Sequence, residues 1–190
     1  LPLPSAGYAA LLATVSVTNH GSVPKDAEIC VDYGGTEMKG GVSLAPGESK
    51  DVDLPVARLD NPQLWWPAGY GDQFLYDVKT TAKVDGKISD CKEQKMGVRE
   101  MSYDWSGGIL DIYVNGRRLI ANGGNWGFPE INLNYRGREY DIAVAYHADM
   151  NFTMIRNWVG QTGDEEFYEA CDRHGVMVWQ DRKSVGVGKE

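Results

Sequence analysis

Residues 152–181 read FTMIRNWVGQTGDEEFYEACDRHGVMVWQD, and how this stretch folds decides the class of the C-terminal half. Its two ends, "FTMIR" and "VMVWQ", are short, apolar and non-alternating, the pattern of strands buried on both faces. A helix lies between them. Thr162 and Glu165 are spaced as a capping box, Phe167, Ala170 and Cys171 form an apolar stripe, and Gly175 stands where a left-handed residue ends a helix. Two apolar strands joined by a helix predict a parallel pair with a crossover connection.

The same reading extends toward the N-terminus. "GREYDIAVAYHADM" (137–150) is helical, with Ile142, Ala145, Tyr146 and Asp149 along one side. Before it, Asn115-Gly116 closes a hairpin between "LDIYV" and "RRLIA". With "RRLIA" as the first strand, the order is strand, helix, strand, helix, strand. Three strands and two helices cannot close a (β/α)8 barrel, which takes roughly 250 residues.

The first hundred residues have a different period. "ATVSVT" sets Ala13, Val15 and Val17 on one face, and "AEICVDY" sets Ala27, Ile29, Val31 and Tyr33 opposite Glu28, Cys30 and Asp32. "KDVDL" and "FLYDVK" alternate likewise. Period two means half-buried strands. His20-Gly21, Gly34-Gly35, Pro46-Gly47 and Asp85-Gly86 supply the turns between them. Regular short strands without helices predict an antiparallel, immunoglobulin-like sandwich. Cys30 and Cys91 both fall in it, but no Trp stands between them at the usual immunoglobulin position, so no inter-sheet disulfide is expected.

Composition narrows the function. The net charge of −8 repels a phosphate backbone, and Arg117-Arg118 is the largest basic cluster before the tail, so no nucleic-acid partner is expected. No apolar run approaches the roughly 20 residues of a membrane span. The three cysteines and three histidines are scattered, without metal-ligand spacing, and no cofactor is expected. The six Trp and ten Tyr serve cores, but they also make flat platforms for sugar rings.

In parallel α/β architectures ligands bind at the C-terminal ends of the strands. After the first strand those ends offer Asn125 and Trp126, after the second Arg156, Asn157 and Trp158, after the third Gln180 and Asp181. Forked polar groups and aromatic faces together suit adjacent hydroxyls and the C–H face of a sugar. Asp164, Glu165 and Glu166 fall in a helix first turn, where the macrodipole favours negative charge, so they are not read as paired catalytic carboxylates.

Five stretches then occur in a telling order: "NPQLWWPAGYGDQFLYDV", "MGVRE", "VNGRRLIANGGNW", "HADMNFTMIRNW" and "DEEFYEACDRHGVMVWQD". Together they resemble glycoside hydrolase family 2, in its β-mannosidase, endo-β-mannosidase and exo-β-glucosaminidase branch. The resemblance implies a retaining β-glycosidase of several domains acting on an oligosaccharide or glycan. Residues 1–104 would be the immunoglobulin-like β-sandwich and 105–181 the first three strands of a truncated (β/α)8 TIM barrel. Residues 182–190 leave the family pattern at Arg182 and are read as a non-native tail. The family's acid/base and nucleophile Glu follow strands four and seven, beyond Asp181, so no catalytic residue is assigned and this chain alone is expected to be inactive. Its partner would be the rest of the parent polypeptide.

The resemblance implies a substrate-binding wall of Asn125, Trp126, Arg156, Trp158, Gln180 and Asp181. Two departures stand out. Val159-Gly160 replaces a Gly-Gly common in relatives, and Gly127-Phe128-Pro129-Glu130 stands where relatives place an Asp. "WWPAGYG" (65–71) sits within the sandwich and is read as a structural loop anchored by its Trp side chains. The alternative is a stand-alone, non-catalytic carbohydrate-binding or adhesion module built on the sandwich.

Overall fold

The computed structural model describes residues 7–127, 135–158 and 163–181. The chain divides into two units: the chain up to Gln63 with Tyr76–Val98, and Leu64–Leu75 with the chain from Arg99 on. The predicted sandwich runs unbroken to 104, whereas here the "WWPAGYG" loop groups with the second unit.

In the first unit, β3 (Lys25–Tyr33), β4 (Thr36–Leu44), β7 (Tyr76–Val84) and β8 (Lys87–Met96) form an antiparallel sheet in the order β4-β3-β7-β8. β2 (Thr14–Thr18) pairs with β5 (Ser49–Asp53), and β1 (Tyr8–Leu11) with β6 (Ala57–Asp60). Period two holds on β3: Ala27, Ile29, Val31 and Tyr33 are buried. Cys30, read onto the outer face, is buried as well. Cys30 and Cys91 are free thiols. Gly34-Gly35 and Asp85-Gly86 close two-residue hairpins with all four φ positive, as primed turns require.

In the second unit, β9 (Met101–Asp104), β10 (Asp111–Val114) and β11 (Arg117–Leu119) make an antiparallel sheet. The Asn115-Gly116 turn is as predicted, with Val114 paired to Arg117. The next sheet is parallel: β12 (Gly123–Trp126), β13 (Met154–Asn157) and β14 (Met177–Gln180), with helices α1 (Arg138–Asp149) and α2 (Glu165–His174) between its strands. One expectation is corrected here. "RRLIA" supplies an antiparallel strand, and the first parallel strand is "GGNW", whose glycines carry no apolar pattern to announce it. Gly123 is required there because a Cβ would lie 1.6 Å from the Met154 carbonyl oxygen.

The helices bear two further corrections. α1 buries Tyr140 and Val144, whereas Ile142 and Tyr146 are 44% and 65% exposed. Both faces carry apolar residues, so periodicity could not choose between them. α2 starts at Glu165, with Asp164 as its N-cap. The Asp164 carboxylate makes no capping bond and instead accepts from the Tyr140 hydroxyl. Thr162, the expected cap, lies outside the described residues, as do Val159-Gly160, Phe128-Pro129-Glu130 and the tail 182–190. The α2 stripe Phe167, Ala170 and Cys171 is buried as expected, and Gly175 closes the helix at φ 75°.

α1 and α2 are also joined by charge. Asp141 accepts from Arg173 Nη2 at 3.0 Å and lies 2.9 Å from His174 Nε2. The bonds from His174 and Arg173 hold its carboxyl below the usual carboxylate range. A depressed folded-state pKa adds stability that is present above the unfolded value of about 3.9 and is lost as pH falls through the folded one. Asp141→Asn should therefore cost ~0.5 kcal/mol at neutral pH, the scale of a part-exposed pair, and a smaller amount at about pH 3, below the unfolded value. Urea midpoints at the two pH values check this; a gap that stays the same at both would reject it.

Candidate functional site

β-Strand side chains alternate between faces, so the parity of each strand sorts the candidate residues. On the helix-covered face, Trp126, Ile155 and Val178 join the core of Tyr140, Val144, Phe167 and Cys171. Asn125, Arg156 and Trp179 are register partners across the three strands, on the other face. Asp181 follows Trp179 on that parity, one step past the end of β14.

Three of the six predicted residues come together in this row. Arg156 Nη2 donates to Asp181 Oδ2 at 2.8 Å, and Arg156 Nη1 donates to Asn125 Oδ1 at 3.3 Å. The Arg156 and Asp181 side chains are 41% and 23% exposed, so the guanidinium is held while part of its fork faces solvent. Among the described residues this is the one place where a fixed cation, a carboxylate and a carboxamide meet at the ends of parallel strands. It can donate to and accept from adjacent hydroxyls.

The other three are placed elsewhere. Trp126 is buried, with its ring 5.0 Å from those of Tyr135 and Phe167. Gln180 belongs to the helix face: its Oε1 accepts from Asn157 Nδ2 and from the Tyr168 hydroxyl, each at 2.9 Å. Asn157 is fully buried, so this network holds the last turn of the sheet from behind, and the Asp181 amide donates to the Asn157 carbonyl at 3.2 Å. Trp158 is half-exposed just past β13 and bonds to none of the row among the contacts described.

Sequence reasoning missed Trp179, which sits beside Arg156 and is 57% exposed. The signal was available: once Asp181 is assigned to one face, alternation puts Trp179 on that face and Gln180 on the other. Trp179 and Gln180 also line a groove of about 530 Å³ along β14, with Tyr103, Ile112, Met154 and Met177. The Cys171 thiol facing this groove is pushed up to about 12 by burial, so it is not a nucleophile at neutral pH.

Trp65 carries the "WWPAGYG" segment into this unit. Its ring is buried, its Nε1 donates to the Asp172 carbonyl at 2.7 Å, and the Arg99 guanidinium lies 4.5 Å from its ring centroid. Asn115 Nδ2 donates to the Trp65 carbonyl at 3.0 Å, tying the segment to the β10–β11 turn. The structural role expected for this loop is what the geometry shows for Trp65.

The sequence profile of the family described as "Glycosyl hydrolases family 2" matches residues 3–99. A mannosylglycoprotein endo-beta-mannosidase of Lilium longiflorum is 39% identical over 144 residues, 74% of this chain and 15% of that protein. An exo-beta-D-glucosaminidase of Streptomyces avermitilis is 31% identical over 184 residues, 94% of this chain and 20% of that protein. The crystal structure of an exo-chitosanase of Amycolatopsis orientalis superposes with a TM-score of 0.82 at 30% identity, covering 92% of this chain and 20% of that one. The chain thus spans a fifth or less of these relatives. No described helix is long and apolar enough to cross a membrane.

Proposed function

The chain belongs to glycosyl hydrolases family 2, and from that premise we propose that it supplies one wall of the sugar site of a retaining β-glycosidase acting on β-mannosides or β-glucosaminides. The observation that carries this is the row Asn125, Arg156 and Trp179, with Asp181, at the C-terminal ends of parallel strands and on the face away from the helices. In this reading the chain up to Val98, apart from Leu64–Leu75, is an immunoglobulin-like sandwich. Residues 105–181 begin a (β/α)8 barrel. The outer edge of β14 pairs with no strand among the described residues, which leaves room for the next one.

Each residue then has a role. Arg156 donates to substrate hydroxyls, Asp181 and Asn125 orient its fork, and Trp179 offers a flat apolar face. The two carboxylates of a retaining mechanism, about 5–5.5 Å apart, come from the rest of the parent polypeptide. The alternative of a stand-alone binding module has less support, because the similarity to glycosidases runs through both units.

The test has two arms. The isolated chain should not hydrolyse aryl β-mannosides or aryl β-glucosaminides. In a polypeptide carrying the complete barrel, Arg156→Ala should lower kcat/KM by about 10–100-fold, the loss of one charged, forked hydrogen-bond donor at ~1.5–3 kcal/mol. Gln180→Leu, which alters the helix-face network instead, should act first on stability. An Arg156→Ala enzyme with unchanged kcat/KM would remove the row from the substrate site.

A further inference from the structure

The turn between α1 and β13 carries a feature that the sugar site does not use. Asn151-Phe152-Thr153 is the one Asn-X-Ser/Thr triplet, X not being Pro, in the whole sequence. We propose that Asn151 is an acceptor for an N-linked oligosaccharide, attached in a glycosylating secretory compartment before β12 docks against β13.

Asn151 has the stereochemistry of a surface acceptor. It is exposed and takes a left-handed conformation at φ 62°, one that asparagine tolerates better than most residues. Its backbone carbonyl is occupied, accepting from Asn122 Nδ2 at 3.0 Å. Its carboxamide makes no hydrogen bond among the described residues. The carboxamides of Asn19, Asn115 and Asn157, by contrast, are each spent on bonds inside the fold. Position also permits a bulky group. Asn151 precedes β13 at its N-terminal end, whereas Arg156 lies toward its C-terminal end, on the order of 15 Å along an extended chain. A glycan there would leave the Arg156–Asp181 row uncovered, and N-linked glycans are surface groups.

The order of events follows from Thr153. In the fold this residue is 7% exposed; its hydroxyl donates to the Ile120 carbonyl at 2.6 Å and accepts from the Asn122 amide at 3.0 Å. The hydroxyl that a transferase must recognise is thus sealed against residues 120–122, which lead into β12, once the sheet forms. Transfer has to come first. In that step the Asn151 Nδ2 attacks C1 of a polyprenyl-pyrophosphate-linked oligosaccharide. The new N–C1 bond forms as the C1–O bond breaks, the pyrophosphate leaves with the electron pair, and the amide proton passes to a base of the transferase.

The experiment uses the full chain behind a secretion leader in a glycosylating eukaryotic host. Intact mass and peptide mapping should show one glycan, on Asn151, removed by peptide N-glycosidase with conversion of the residue to Asp. Asn151→Gln should abolish it, and Thr153→Ser should retain it. Mapping of the unsubstituted chain gives the answer even if a variant fails to fold. In a second arm, folded and urea-unfolded chains are offered to a purified oligosaccharyltransferase with its lipid-linked donor. The folded chain should be modified about tenfold more slowly or worse, because the sheet must open first. A secreted chain without glycan on Asn151 would overturn the acceptor assignment. Equal rates for folded and unfolded chains would overturn the proposed order. Neither result bears on the Arg156 row, so the two proposals fail separately.

Discussion

Gly123→Ala should unfold the second unit while leaving the first intact. Gly123 pairs with Met154 across the parallel strands, and a Cβ on it would sit 1.6 Å from the Met154 carbonyl oxygen. No rotamer relieves such a contact, because both atoms belong to backbone or are fixed to it. The strands must separate, which also loosens the Trp126 core behind them. The expected loss is ~3 kcal/mol or more, at the upper end of overpacking costs. The neighbouring Gly124 is the control. Its Cβ would meet Phe152 at 3.8 Å, an ordinary contact, so Gly124→Ala should change stability by less than ~1 kcal/mol. Urea denaturation followed by tryptophan fluorescence measures both. A Gly123→Ala midpoint equal to that of Gly124→Ala would mean that "GGNW" is not the strand beside Met154.

The second large effect falls on Trp65→Ala. This substitution empties a buried ring site, leaves the Asp172 carbonyl without its indole donor and removes the aromatic face beneath Arg99. Cavity and transfer terms for a buried Trp amount to ~3–5 kcal/mol. Trp65→Phe keeps much of the apolar contact and loses the hydrogen bond, so it should cost ~1–3 kcal/mol. Hydrogen exchange locates the damage. Protection should fall in α2 and in the β10–β11 turn, where the Trp65 side chain and carbonyl are bound. If it fell in β3 and β7 instead, the "WWPAGYG" segment would belong to the first unit.

Much of this architecture was legible because it is local. The turns at Gly34-Gly35, Asp85-Gly86 and Asn115-Gly116 need positive φ, and their residues say so. The α2 stripe was legible because Phe167, Ala170 and Cys171 are apolar on one side and the opposite side is charged. α1 was misread because Ile142 and Tyr146 look as apolar as Tyr140 and Val144, and only packing decides which pair turns inward. The strand "GGNW" was missed for the opposite reason. A strand built on close backbone approach has no side-chain period to read.

The candidate site shows the same division. The sequence by itself determined the residue types at the strand ends, including Asn125, Arg156 and Asp181, the antiparallel-then-parallel order of elements, and the family. Tertiary structure decided which of those residues share a face. Parity sent Trp126 and Gln180 to the helix side, brought Trp179 beside Arg156, and made one Asn-Arg-Asp row of residues far apart in the chain. It also decided that a loop embedded in the first hundred residues packs with the second unit. The physical reason is one of range. Backbone conformation follows from near neighbours, whereas face, register and burial depend on side chains that meet only when distant segments pack.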